Sequence, residues 1–180
     1  MNGTVYAPTS PEVVARAWVG CMGCYNMGRR NGRWMVPDDA EQVGGKCGRC
    51  GSDEFWCYDV EGVPVVREMS LTEFVRVGRL AEAVAGHPHS DAVRLWMGYD
   101  FSSNVEQWDY DPDEIIARFD ESFDGEWDSY SDYAYEWVDN NLGKLDEMFQ
   151  FLVVDWDQTG RDLAYLTLVD GGSLFIFREV

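Results

Sequence analysis

The sequence carries two CxxC motifs, Cys21-Met22-Gly23-Cys24 and Cys47-Gly48-Arg49-Cys50, with 22 residues between the inner cysteines. Four thiolates at this spacing complete the tetrahedral coordination of Zn²⁺ and leave no position for a catalytic water. We therefore predict one structural Zn²⁺ per chain, held by Cys21, Cys24, Cys47 and Cys50. Reduced structural thiols and a redox CxxC are the alternatives, and a redox motif needs one pair rather than two. The glycines at positions 23, 48 and 51 are expected to provide positive φ in these turns.

The charge outside these motifs is strongly asymmetric. The 180-residue chain has a formal net charge of −19, with 9 Lys and Arg against 11 Asp and Glu in residues 1–90 and 5 against 22 in residues 91–180. A pI near 4.2 argues against direct binding of nucleic acid or of an anionic membrane. Aromatic and aliphatic residues alternate with the acids, which indicates a folded acidic domain rather than a disordered tail.

Patterning predicts strands first and helices later. Short β-type runs occur at residues 13–19, 33–36 and 55–60, and glycine-rich loops separate them. Ser70 and Glu73 form a capping box that begins a helix, and Ser90 with Asp91 begins another. Residues 145–152 carry the apolar positions of a further helix, and the turn at residues 170–172 predicts a C-terminal β-hairpin.

We therefore predict an α+β fold, an elongated chain of three small modules. These are a β-rich zinc-containing module at residues 1–68, a helical module at 69–109 and an acidic module at 110–180 that ends in the hairpin.

The acidic module carries carboxylates at helical spacing. Asp111-Pro112-Asp113-Glu114 begins one helix, and Ser129 caps the next, whose positions 132, 136 and 139 lie opposite its apolar stripe. Steps of four residues advance about 6 Å along a helix, close to the spacing of phosphates on a nucleic-acid strand. Residues 120–126 are expected to continue this edge through a loop. The candidate partner-binding acids are Asp109, Asp111, Asp113, Glu114, Asp120, Glu121, Asp124, Glu126, Asp128, Asp132, Glu136 and Asp139.

Enzyme chemistry finds little support in the sequence. There are two histidines and two lysines, no nucleophile elbow, no P-loop and no dinucleotide fingerprint. No apolar run is long enough to cross a membrane, and the N-terminus lacks the features of a signal peptide. We expect a non-catalytic protein of the bacterial host cytoplasm.

Several fragments together resemble the ArdA family of antirestriction proteins, which phages and conjugative elements produce. The fragments are YNMGRRNGRW at residues 25–34, LTEF at 71–74 with LAEA at 80–83, FDGEW at 123–127 with YA at 133–134, DW at 155–156, GRDL at 160–163 and FIFR at 175–178.

The resemblance implies an elongated dimer that mimics bent B-form DNA and occupies the DNA-binding groove of type I restriction–modification enzymes. The family does not generally carry the CxxC pairs, and residues 1–12 extend beyond its usual start. The alternative function is a zinc ribbon that binds nucleic acid or the transcription machinery through Arg29, Arg30, Arg33 and Arg49, with the acidic half as a partner-docking surface. A gel shift with plain DNA would separate the two, since only the zinc ribbon predicts a shift.

Overall fold

The computed structural model describes residues 15–104, 111–142 and 153–179. Within these residues the chain forms seven helices and two antiparallel three-stranded sheets, which confirms the α+β fold class. The chain divides into two compact units: unit 1 ends at Ile116 and unit 2 begins at Ala117.

Unit 1 is built on a sheet whose central strand leads directly into the first cysteine motif. The strands are β1 (Arg16–Cys21), β2 (Gly32–Met35) and β3 (Phe55–Glu61), in the order β2-β1-β3. Ala17, Val19 and Cys21 alternate along β1 and are buried, so one face of the sheet forms the core. Trp18 and Gly20 lie on the opposite face, opposite Trp34 and Gly32 of β2.

Four helices complete unit 1: α1 (Met22–Asn26), α2 (Pro37–Glu41), α3 (Leu71–Val84) and α4 (Ser90–Asn104). Ser70 caps the start of α3 as predicted, since its Oγ accepts from the Glu73 backbone N–H at 3.2 Å, while the Glu73 carboxylate pairs with Arg67. Helix α3 buries Phe74, Val77 and Leu80 and packs against α2 and the sheet. The central helices therefore share a core with the β-rich segment, which is why the boundary expected at residue 68 does not separate the two units.

Unit 2 combines the second sheet with the C-terminal part of one helix and two complete helices. Helix α5 (Pro112–Ser122) leads into β4 (Phe123–Trp127), followed by α6 (Tyr130–Leu142), α7 (Trp156–Leu163) and the hairpin β5 (Leu166–Asp170) and β6 (Ser173–Phe177). The sheet order is β4-β6-β5, and glycines with positive φ at 171 and 172 form the predicted hairpin turn. The rings of Phe119, Phe123 and Phe177 pack together in the core.

The expectation of a loop at residues 120–126 is wrong. Residues 120–122 end α5, and residues 123–126 belong to β4 because they pair with β6. The strand expected from residue 13 begins at Arg16 within the described part of the chain. The predicted helix with Leu145, Met148, Phe149 and Leu152 lies outside the described residues. Among the described residues, no helix is both long and apolar enough to cross a bilayer.

Gly160 provides a test of the packing in unit 2. A Cβ atom at this position would lie 2.1 Å from the Tyr130 carbonyl oxygen, so α6 and α7 approach too closely for a side chain. We expect Gly160→Ala to destabilise unit 2 by roughly 2 kcal/mol or more, because overpacked backbone cannot relax as a flexible side chain can. The measurement is the denaturant midpoint of the unit 2 transition. Gly86→Ala is the control, since a Cβ there meets no atom within 4 Å; equal midpoints for the two variants would contradict this packing.

Candidate functional site: a cysteine cluster and an acidic surface

The four predicted zinc ligands converge at one end of the unit 1 sheet. Cys21 is the last residue of β1, and Cys24 lies in the short helix α1 that follows. Cys47 and Cys50 come from a tight turn in which the Gly51 N–H donates to the Cys47 carbonyl oxygen at 2.8 Å. Two chain segments distant in sequence therefore present two sulfurs each.

The sulfur positions fit a four-coordinate metal. All four Sγ atoms lie within 4.8 Å of one another. The Cys21–Cys50 Sγ separation is 3.3 Å and the Cys24–Cys47 Sγ separation is 3.7 Å. A tetrahedral site with Zn–S bonds of about 2.3 Å requires sulfurs about 3.8 Å apart. Cys21, Cys24 and Cys47 are buried and Cys50 is half-buried, as expected for a closed structural site.

Hydrogen-bond donors surround the sulfurs. Backbone N–H groups of Arg49 and Cys50 donate to the Cys47 thiolate and lower its pKa to about 6, so this group is ionised at neutral pH. Burial raises the pKa of Cys24 to about 12, and a bound divalent cation would reverse that preference. Asn31 Nδ2 lies 3.3 Å from Cys47 Sγ and 3.8 Å from Cys24 Sγ. The sequence analysis missed Asn31 because an amide between two motifs has no distinctive spacing.

Two glycines permit the approach of the turns, for different reasons. Gly51 has φ of 75°, the left-handed conformation that glycine adopts most readily. A Cβ at Gly23 would lie 2.8 Å from Ser52 Cβ and 3.1 Å from Cys50 Sγ. Gly23 is therefore required for close contact rather than for positive φ, and Gly48 shows neither requirement, contrary to the expectation for both.

The fifth cysteine stands apart from the cluster. Cys57 is fully buried in β3, and burial raises its pKa to about 12. Its thiol stays protonated and acts as a small apolar side chain.

Most of the candidate acids are exposed. Asp111, Asp113 and Glu114 lie at the start of α5 in unit 1, where Asp111 Oδ1 accepts from the Asp113 N–H at 2.9 Å. In unit 2 the exposed members are Asp120, Glu121, Glu126, Asp128, Asp132, Glu136 and Asp139. Asp109 lies outside the described residues.

Helix α6 presents its carboxylates opposite a buried stripe. Tyr133, Ala134 and Val138 are buried, whereas Asp132, Glu136 and Asp139 are exposed. Ser129 caps the helix as predicted, since its Oγ accepts from the Asp132 N–H at 3.1 Å. Within the described part of the chain, no basic side chain forms an ion pair with any of these three carboxylates. This face therefore projects uncompensated negative charge.

Asp124 differs from the other acids. It lies at the irregularity in the β4–β6 pairing and is half-buried. Its Oδ2 accepts from the Tyr133 hydroxyl at 2.9 Å, and burial together with this bond raises the pKa of Tyr133. Asp124 therefore ties β4 to α6. Because it is half-buried, Asp124 is less exposed to a partner than its spacing suggested.

Comparison with known protein families supports the resemblance in the sequence. The chain matches the family described as Antirestriction protein (ArdA) over residues 17–173. No curated protein and no solved structure gives a significant match. The match covers most of the chain, including both cysteine motifs and the acidic helices. The chain belongs to the ArdA family of antirestriction proteins.

Proposed function

We propose that this protein inhibits type I restriction–modification enzymes by occupying their DNA-binding groove as a mimic of B-form DNA. Membership of the antirestriction family supports this function. The observation that carries the mechanism is the row of exposed carboxylates on α6 without basic partners among the described residues. In this proposal the protein acts without catalysis, in the host cytoplasm, and it does not itself bind duplex DNA.

The physical basis is replacement of phosphates by carboxylates. Asp132 and Glu136 are four residues apart, which is about 6 Å along the helix axis. Like charges at this spacing destabilise an isolated helix. A groove that binds DNA is lined with basic side chains, and an anionic protein surface meets the same electrostatic attraction there. In the complex, attraction to the basic groove therefore offsets the repulsion between neighbouring carboxylates.

We also infer a homodimer, which the family resemblance implies. A chain of net charge −19 repels a second copy. The dimer contact should therefore be apolar and should strengthen as salt screens the repulsion.

We further infer that the cysteine cluster holds one structural Zn²⁺. The donor set is four sulfurs, which favours zinc over hard cations such as Mg²⁺ or Ca²⁺. Cys21, Cys24, Cys47 and Cys50 would bind the ion, and Asn31 and the backbone N–H groups of the second turn would offset the thiolate charge. A closed site of this kind contributes to folding rather than to catalysis.

The zinc proposal predicts a local loss of structure. Cys47→Ser should remove zinc and unfold unit 1 while unit 2 remains folded, because unit 2 has its own aromatic core. Elemental analysis measures the zinc, and amide hydrogen exchange measures protection in each unit. Cys57→Ala is the control: this buried cysteine lies outside the cluster, so the variant should keep one zinc per chain. An identical melting midpoint with and without metal would contradict a structural site.

The mimicry proposal predicts that no single carboxylate is essential. An exposed charge pair contributes about 1 kcal/mol or less, so Asp132→Asn or Glu136→Gln alone should weaken inhibition by less than about fivefold. Joint neutralisation should weaken it progressively and flatten its dependence on salt. The measurement is the dose–response of restriction inhibition at two ionic strengths. The combined variant changes Glu126, Asp128, Asp132, Glu136 and Asp139.

A matched variant separates the acidic face from total charge. It neutralises five exposed acids of unit 1, namely Asp39, Asp53, Glu54, Glu82 and Asp91. Inhibition should be retained in this control. Equal loss in the two five-fold variants would assign the effect to net charge, and complete loss from one carboxylate in a folded protein would assign it to a single anchor. Either result contradicts a distributed mimic.

A further inference from the structure

A cleft on the outer face of the unit 1 sheet is not used by the proposed function. Its volume is about 540 Å³, and it lies between the first cysteine motif and the face of the sheet opposite the core. Two glycines, Gly20 and Gly32, pair directly across β1 and β2 and line the cleft. The rings of Tyr58 and Trp18 occupy the space that side chains would fill at these positions. A Cβ atom would lie 3.1 Å from the Tyr58 ring at Gly20 and 2.9 Å from Trp18 Nε1 at Gly32.

Four aromatic side chains line the cleft. Trp18 and Trp34 lie on one side in an edge-to-face arrangement, with ring centroids 6.1 Å apart. Tyr25 and Tyr58 are stacked with centroids 4.4 Å apart. The pairing of β1 with β3 shifts between Trp18 and Val19, opposite Tyr58, whose ring reaches to about 3 Å from where a Cβ on Gly20 would lie. The strand irregularity therefore turns a tyrosine onto this face.

The surroundings of the cleft are cationic, unlike the rest of the chain. Residues 21–36 contain three arginines and no acid. Arg29 and Arg30 line the cleft and are exposed. Within the described residues, no carboxylate forms an ion pair with either guanidinium. In a protein of net charge −19, two arginines without acidic partners beside aromatic rings indicate an anionic ligand with a flat apolar part.

Two polar groups complete the lining. Tyr58 Oη is buried and has no hydrogen-bond partner in the described part of the chain, and buried hydroxyls generally have one. Asp59 is the single acid that lines the cleft, and one of its oxygens accepts from the Val60 N–H. The second carboxylate oxygen of Asp59 can accept a hydrogen bond from an amino group on a ligand. The guanidinium groups of Arg29 and Arg30 disfavour a ligand that is itself a cation.

From this combination we propose that the cleft binds a single unpaired nucleotide, with the base against the aromatic side chains and the phosphate on Arg29 and Arg30. Aromatic platforms beside a positive groove are the usual means of binding unpaired nucleotides. A base inside duplex DNA is stacked on both faces, so duplex DNA does not enter the cleft. The ligand chemistry is the same for a free mononucleotide and for a nucleotide within a single strand.

This inference goes beyond the proposed function and does not depend on it, since the cleft lies wholly in unit 1. It departs from the expectation that the chain binds no nucleic acid, but only for unpaired nucleotides. Inhibition of restriction and binding of nucleotides can therefore fail independently.

The test is calorimetric titration of the purified full-length protein with 5′-AMP, adenosine and single-stranded oligo(dA) of eight nucleotides. 5′-AMP should bind saturably, and adenosine should bind about tenfold more weakly because it lacks the phosphate that pairs with arginine. If the octamer binds clearly more tightly than 5′-AMP, the ligand is a nucleotide within a single strand. Otherwise the free nucleotide is the source.

Three variants distinguish a built site from general attraction. Arg30→Gln should weaken 5′-AMP binding about tenfold, and Trp34→Leu should weaken it at least about fivefold through lost stacking. Arg33→Gln removes the same charge three residues further along the chain, in β2, but this residue does not line the cleft, so binding should be unchanged. No saturable binding of either nucleotide probe, or equal loss in the Arg30 and Arg33 variants, would overturn the proposal.

Discussion

Convergence of four sulfurs within 4.8 Å is the constraint around which unit 1 is arranged. The central strand β1 ends at Cys21, the short helix α1 must turn at once to place Cys24, and the second turn must approach so closely that position 23 has no room for a side chain. Without a bound cation, burial keeps the Cys24 thiol protonated with a pKa of about 12. Binding of a metal ion by the four thiolates would offset these costs and add to the folding free energy of unit 1.

Acids on α2 of unit 1 and on α6 of unit 2 differ in their surroundings. The acids of α2 pair with Arg79, whose Nη2 lies 3.0 Å from Asp38 and 2.6 Å from Glu41. The exposed carboxylates of α6 have no such partners among the described residues, and the opposite face of the helix is buried through Tyr133, Ala134 and Val138. A folded surface can hold like charges in fixed positions only when packing beneath it supplies the stabilisation that the surface loses. This division agrees with one unit specialised for presenting negative charge.

Local chemistry made several features predictable, and long-range pairing hid others. Some features depend on neighbours within a few residues, so spacing alone identified them. These are the helix caps at Ser70 and Ser129 and the two CxxC motifs. Strand β4 escaped notice because FDGEW carries two acids and a glycine and forms a strand only through its pairing with β6. The aromatic cleft escaped notice for the same reason: Tyr58 reaches that face through an irregularity between strands, which no local pattern encodes.

Inhibition by mimicry requires this protein and DNA to compete for the same groove. The direct measurement is fluorescence anisotropy of a labelled duplex bound to a purified type I methyltransferase core while this protein is added. A DNA mimic should release the duplex completely, and the concentration required should rise in proportion to the DNA present. The affinity of this protein for the methyltransferase core should also fall as salt increases, because salt screens the attraction between its carboxylates and the basic groove. Inhibition of the enzyme with the duplex still bound would contradict the account.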